Sequence, residues 1–321
     1  MMLPVLAAVA LASAGGQFAQ QPPLTPMDEF DPLPAELEEV IVDRDRYERM
    51  TVSVSIGDSG PYRFLVDTGA QATVVTHRIV DDLQLVPDGR ALLVAMGSSE
   101  VVPTVELDRL KFANRSIDDL RAPLLEWRNI GADGILGLDS LQDLRVLMDF
   151  EEDRITVADA SALGGNNGFE IVVRARRKLG QMIITDAYLN GVRTNVIIDT
   201  GAQRSFGNAA LERRLRSKEA GTEIATDVHG FELAHQLRLT RELTIGGVSL
   251  RDLAVGFTQS PIFAALELEE DPALVLGMGD LRAFRRVAID FDARRILFDL
   301  PRDVASDLLR RRGGIAPNAR W

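Results

Sequence analysis

Residues 51–56, TVSVSI, alternate apolar and polar positions, and after the turn Gly57-Asp58-Ser59-Gly60-Pro61 an apolar run returns as YRFLV at 62–66. Alternation with period two marks a strand with one buried face, so this stretch predicts a hairpin. The figure recurs at MIITDAYL (182–189), Asn190-Gly191 and VRTNVII (192–198). Asn-Gly between apolar runs is a strong hairpin signal, because both residues tolerate the positive φ of a two-residue turn. THRIVDDL (76–83) and NAALERRL (208–215) follow with the spacing of short helices. Short strands then recur with turn residues between them. Each half ends in a brief helix, DSLQDL (139–144) and GDLRAF (279–284), and a final hairpin. Leu163-Gly164-Gly165-Asn166-Asn167-Gly168 reads as a hinge between the halves.

The parallel is closest where the first hairpin of each half ends. Asp67-Thr68-Gly69-Ala70-Gln71 and Asp199-Thr200-Gly201-Ala202-Gln203 are one string written twice, 132 residues apart (199 minus 67), each after an apolar run. At average residue usage, one Asp-Thr-Gly arises by chance about once in several thousand residues. Other landmarks keep the same order: Met96-Gly97 with His229-Gly230, Asp119-Leu120 with Asp252-Leu253, Ile135-Leu136-Gly137 with Val275-Leu276-Gly277, and MDFEEDRITV (148–157) with IDFDARRILF (289–298). Their offset widens slowly along the chain, as small loop insertions would make it. The pattern predicts a duplicated, two-lobe protein.

These residues resemble those of the aspartic peptidases. Asp-Thr-Gly-Ala after an apolar strand is similar to the retroviral-type, or retropepsin-like, members, and Ile135-Leu136-Gly137 resembles that family's second signature. The resemblance covers about residues 45–158 and 169–300. Retroviral-type enzymes usually take one lobe from each of two chains. Here both lobes lie in one chain, similar to bacterial exported aspartyl peptidases. The resemblance implies a mainly β fold: two homologous retropepsin-like acid-protease β-barrel lobes in a pepsin-like bilobal arrangement with a central cleft.

The activity implied is that of an aspartic endopeptidase acting on a polypeptide substrate, with Asp67 and Asp199 as catalytic residues. Two carboxylates a few ångströms apart resist ionising together, so such a pair holds one proton over a useful pH range. By resemblance, Thr68 and Thr200 brace the two active loops through their hydroxyls. Gly69 and Gly201 permit the tight turn and offer backbone donors. The triplets at 135–137 and 275–277 pack behind the aspartates. Pepsin-type sites usually carry Ser or Thr where Ala70 and Ala202 stand. Without those donors the charged carboxylate is less stabilised, so the expected pH optimum is mild rather than strongly acid. Gln71 and Gln203 depart from the Asp or Asn common after retroviral-type Ala. AMGSSE (95–100) and VHGFEL (228–233) occupy the place of a cleft-covering flap, with Gly97, Ser98, Gly230 and Phe231 as candidate substrate cover. Plain hairpin turns are the alternative there.

Composition narrows the picture. Residues 1–14 are small and apolar and end Ala12-Ser13-Ala14, which reads as a signal peptide. Export, to the periplasm or outside a bacterium, is the expectation, with no stable membrane insertion. Residues 15–44 read as a linker or short pro-segment, 45–160 and 169–300 as the two lobes, 161–168 as the link, and 301–321 as a C-terminal helix and tail. The absence of cysteine removes disulfides and thiol chemistry. A net charge of −12 gives no footprint for nucleic acid. No cofactor or metal is expected: His77, His229 and His235 lack ligand spacing and read as isolated surface residues. With both lobes in one chain, a monomer suffices to form the site. Two other readings stay open. One is a catalytically idle peptide- or protein-binding module with the same fold. The other is an enzyme that stays latent until its N-terminal segment leaves.

Overall fold

The apolar run that enters each Asp-Thr-Gly is buried on both faces. Strand Ser59–Val66 alternates at first and ends with Phe64, Leu65 and Val66 all enclosed. Its counterpart Val192–Ile198 ends likewise in Val196, Ile197 and Ile198. A strand covered on both sides reads as a continuous apolar run, which is why alternation stops there. The computed structural model describes residues 50–301 except 114, 161 and 164, together with the short strands Val5–Ala7, Ala12–Ser13 and Asp43–Arg44. The expected leader over 1–14, the segment 15–44 and the helix over 304–312 lie largely or wholly outside the described residues.

The chain is mainly β and forms two lobes of the same topology. In the first, strands pair in the order 89–94, 99–112, 115–125, 74–76, 134–136, 59–66, 50–56. Strand Met50–Ile56 also pairs with Ser99–Phe112, which closes the sheet on itself. The second lobe repeats the order as 218–226, 232–245, 248–257, 206–207, 273–276, 192–198, 181–189, and closes through 181–189 with 232–245. Closing a sheet removes its exposed edges.

In each lobe the strand of the second signature lies parallel to the strand that delivers the aspartate. Gly134–Leu136 runs beside Phe64–Val66, and Ala273–Leu276 beside Asn195–Ile198. The register continues one step further: the backbone N–H of Asp67 donates to the carbonyl of Leu136 at 3.0 Å, and that of Asp199 to Leu276 at 3.1 Å. Both aspartates are thus fixed by a neighbouring strand as well as by their own.

The closing hairpins do not stay with their separate lobes. Strands 154–158, 145–149, 286–290, 295–299 and 171–174 form one five-stranded sheet, with Met148 opposite Val287 and Val146 opposite Ile289. One large apolar cluster includes Val146, Met148, Val287, Ile289, Phe291 and Phe298 together with core residues of both lobes. Buried Arg145 donates through Nε to Asp290 Oδ2 at 3.1 Å across the lobe boundary. A core shared in this way holds the lobes, and hence the two aspartates, in fixed relation.

The predicted short helices are present as His77–Leu83 and Ala209–Arg214. Those expected over 139–144 and 279–284 are single turns, Leu138–Leu141 and Met278–Leu281. They end early because the chain must turn into the shared sheet at Arg145 and Arg286.

Candidate active site

Asp67 and Asp199, one from each lobe, meet at the lobe boundary and are 0% and 1% exposed. Asp67 Oδ1 accepts from the N–H of Gly69 at 2.8 Å and of Ala70 at 3.0 Å. Asp199 Oδ1 accepts from Gly201 at 2.9 Å and Ala202 at 3.0 Å. The Asp-Thr-Gly-Ala turn thus orients each carboxylate with its own backbone donors. Gly69, whose N–H bonds Asp67, also lies against the Asp199 carboxyl, so the two side chains are close neighbours. A methyl group added at Gly69 would lie 2.4 Å from Asp199 Cγ, so the close approach of the second carboxylate requires glycine there.

Burial holds the Asp199 carboxyl well above the usual carboxylate range, and the charge of Asp67 pushes the same way. The N–H donors of Ala202 and Gly201 oppose the shift without cancelling it. A low-dielectric site with two neighbouring carboxyls favours one proton on the pair.

Thr68 and Thr200 cross between the lobes. Thr68 Oγ1–H donates to the Ile198 carbonyl at 2.9 Å and accepts from Thr200 N–H at 3.2 Å. Thr200 Oγ1–H donates to Val66 at 2.6 Å and accepts from Thr68 N–H at 3.0 Å. Ala70 and Ala202 are fully enclosed and present only methyl groups.

Three sets of contacts were not expected from the sequence. Gln181 donates through Nε2 to the Gly69 carbonyl at 2.6 Å, tying the second lobe to the first active loop. Thr73 Oγ1 accepts from Gly137 N–H at 3.1 Å and donates to Asp139 at 2.7 Å, linking loop and second signature. Ser205 does the same, accepting from Gly277 N–H at 3.0 Å and donating to Asp280. The hidden signal was the duplication itself: Thr73 and Ser205 follow the two aspartates at equal distance.

The four flap candidates come together, with further partners. Ser98 Oγ lies 2.6 Å from both Asp227 Oδ2 and His229 Nδ1, and Gly97 N–H donates to Asp227 at 3.3 Å. The Phe231 ring lies 2.9 Å from where a methyl on Gly97 would sit, and Gly230 lies against the Asn129 amide. The flap tips of the two lobes therefore touch, and neither is a hairpin turn standing alone. The structure also corrects their alignment. The first-lobe loop runs 95–98 and the second 227–231, one residue longer, so Met96 corresponds to Val228 and not to His229.

The histidines need correction too. His77 stays at the surface, 3.7 Å from Glu126. His235 is buried, 3.8 Å from Glu223, and His229 is half-buried in the flap contact. His235 sits on strand Glu232–Ile245 with its ring against Gly256, and His229 is covered by Ser98 of the other lobe, neither of which spacing along the chain reveals. Among the described residues no group of three or more His, Cys, Asp or Glu is placed to hold a metal ion.

A fold of two matching β lobes, with one buried Asp-Thr-Gly aspartate from each, defines the aspartic peptidase class. The aspartyl protease family model matches residues 52–140 and again 185–279, more than half of the chain in all. The chain belongs to this family, in its duplicated retropepsin-like form. No curated protein matches it.

Proposed function

We propose that the chain is an endopeptidase that hydrolyses peptide bonds with a water molecule activated by Asp67 and Asp199. The observation that carries this reading is the meeting of the two buried carboxyls at the lobe boundary, on loops braced from both lobes. With the shared proton on Asp199, Asp67 is the charged member and the general base. Asp67 takes a proton from water as the oxygen attacks the peptide carbonyl carbon. Asp199 gives its proton to the carbonyl oxygen, and a gem-diol forms. Asp67 then passes its proton to the leaving nitrogen while a gem-diol hydroxyl returns one to Asp199. The C–N bond breaks, and the pair regains its starting state. The route requires no covalent intermediate.

The buried site supports this chemistry, since charge stabilisation is stronger where water is excluded. The flaps supply the cover. We further propose that the protein acts outside the cytoplasm, on the strength of the apolar leader ending Ala12-Ser13-Ala14.

The test is incubation of the mature chain with an unstructured polypeptide in water enriched in heavy oxygen. Mass spectrometry should find internal cleavage, with one heavy oxygen in each new carboxyl group. Saturable binding of the same polypeptide without cleavage at any pH would favour the idle binding module instead.

A further inference from the structure

The duplication places one flap position in the same setting twice. Met96, at the first flap tip, is buried in an apolar cluster with Ala202, Phe206, Ile262 and Phe263 of the second lobe. Val228, at the second tip, is buried in a cluster with Ala70, Leu125, Ile130 and Ala132 of the first lobe. Each flap therefore inserts an apolar side chain into the opposite lobe, beside the alanine that follows the catalytic Asp-Thr-Gly.

A polar contact fastens this crossing. Asp227 is fully buried. Its Oδ1 accepts from the backbone N–H of His229 and of Phe231, both at 3.0 Å, which fixes its own loop. Its Oδ2 faces the other lobe and meets Ser98 Oγ at 2.6 Å and Gly97 N–H at 3.3 Å. A carboxylate only accepts, so the single hydroxyl proton of Ser98 goes to Asp227. His229 Nδ1, 2.6 Å from the same oxygen, must then carry its proton and donate it to Ser98. The contact thus selects one neutral imidazole tautomer. Asn129 of the first lobe adds a bond from Nδ2 to the Val228 carbonyl at 3.2 Å.

We propose that the crossed flaps are an autoinhibitory clasp: Met96 and Val228 occupy the two apolar pockets flanking the aspartates, and Asp227, Ser98 and His229 latch them there. The proposal rests on the peptidase reading and adds its regulation. A substrate enters by displacing both plugs.

Two measurements on the full mature chain test the clasp. The first is hydrogen exchange of the backbone amides of 95–98 and 227–231 in wild type and Ser98→Ala. The clasp predicts exchange about tenfold faster or more in the variant, with strands 134–136 and 273–276 unchanged. Equal flap exchange in a folded Ser98→Ala protein overturns it. The second is cleavage of a peptide with adjacent apolar residues. Ser98→Ala should raise kcat/KM several-fold, and an equal or lower value overturns autoinhibition. The chain has no cysteine of its own, so the double variant Ser98→Cys, His229→Cys gives a single defined cross-link. Oxidised, it should not cleave; reduced, it should. Equal cleavage in both states also overturns the clasp. If neither wild type nor Ser98→Ala cleaves any peptide yet the variant's flaps still exchange faster, the peptidase reading fails and the latch itself stands.

Discussion

Thr68 and Thr200 exchange the same pair of hydrogen bonds across the lobe boundary. Each hydroxyl accepts the other's backbone N–H and donates to the carbonyl two residues before the other threonine, Val66 or Ile198. The consequence is that neither active loop can shift without breaking bonds held by the other. Replacing Thr200 by Val leaves Thr68 N–H and the Val66 carbonyl without these partners. An unmet buried polar group costs about 1–3 kcal/mol. Thr200→Val should therefore lower the denaturant midpoint by that stability and lower kcat. Thr200→Ser should retain most of both, as read by circular dichroism and peptide cleavage.

Gly69 is fixed by its distance to Asp199. Gly69→Ala drives a methyl to 2.4 Å from the Asp199 carboxyl carbon, and either the loop or the carboxyl must move. Overpacking of this kind costs roughly 1–3 kcal/mol. The expected outcome is a folded protein with a lowered melting temperature and no detectable cleavage. Cleavage at the wild-type rate would show that the two loops are not held as close as described.

Ala70 and Ala202 predict a mild pH range. Neither offers a hydroxyl to the aspartates. Activity should accordingly peak between mild acid and neutrality. Ala202→Ser introduces a donor that stabilises the charged form and lowers the pKa of the pair. The acid limb of the kcat/KM profile should then move to lower pH. A wild-type maximum at strongly acid pH, or a shift of the variant's limb upward, contradicts this assignment.

The flaps carry a second pH dependence. Burial lowers the His229 pKa below its ordinary 6.5, against the opposing charges of Asp227 and Glu100. Opening returns the ring to its ordinary value. The neutral ring is thus the closed form, whose advantage is full above 6.5 and is lost as pH falls below it. Protection factors at 227–231, referenced to intrinsic exchange at each pH, should fall on acidification through that range. His229→Gln should remove the dependence, leaving exchange in 134–136 unaffected.

Local strings made much of the architecture legible. The hairpins at 51–66 and 182–198 were written in their alternation and turn residues, and the doubled Asp-Thr-Gly-Ala-Gln marked both lobes and both aspartates. The rest depends on partners distant in the chain. Gln181 and Gly69, or Ser98 and Asp227, are brought together only by the fold, more than a hundred residues apart. Asp227 is one acidic residue among many until its burial is known. The joining of the final hairpins into one sheet was equally hidden, because strands such as 286–290 are covered along almost their whole length and do not declare which neighbour covers them. The flap alignment failed for a simpler reason. Matching Met96-Gly97 to His229-Gly230 aligned the glycines, whereas the lobes conserve the buried position before the one-residue insertion.

The central claim is that Asp67 and Asp199 act as one pair. Its most direct measurement is kcat of wild type, Asp67→Asn and Asp199→Asn on one peptide substrate, with thermal unfolding of all three. General acid–base groups commonly contribute about 10²–10⁴-fold. Each single substitution should therefore lower kcat by about a hundredfold or more. All three proteins should unfold cooperatively, with their folds intact. Cleavage within tenfold of wild type by either folded variant would contradict the account.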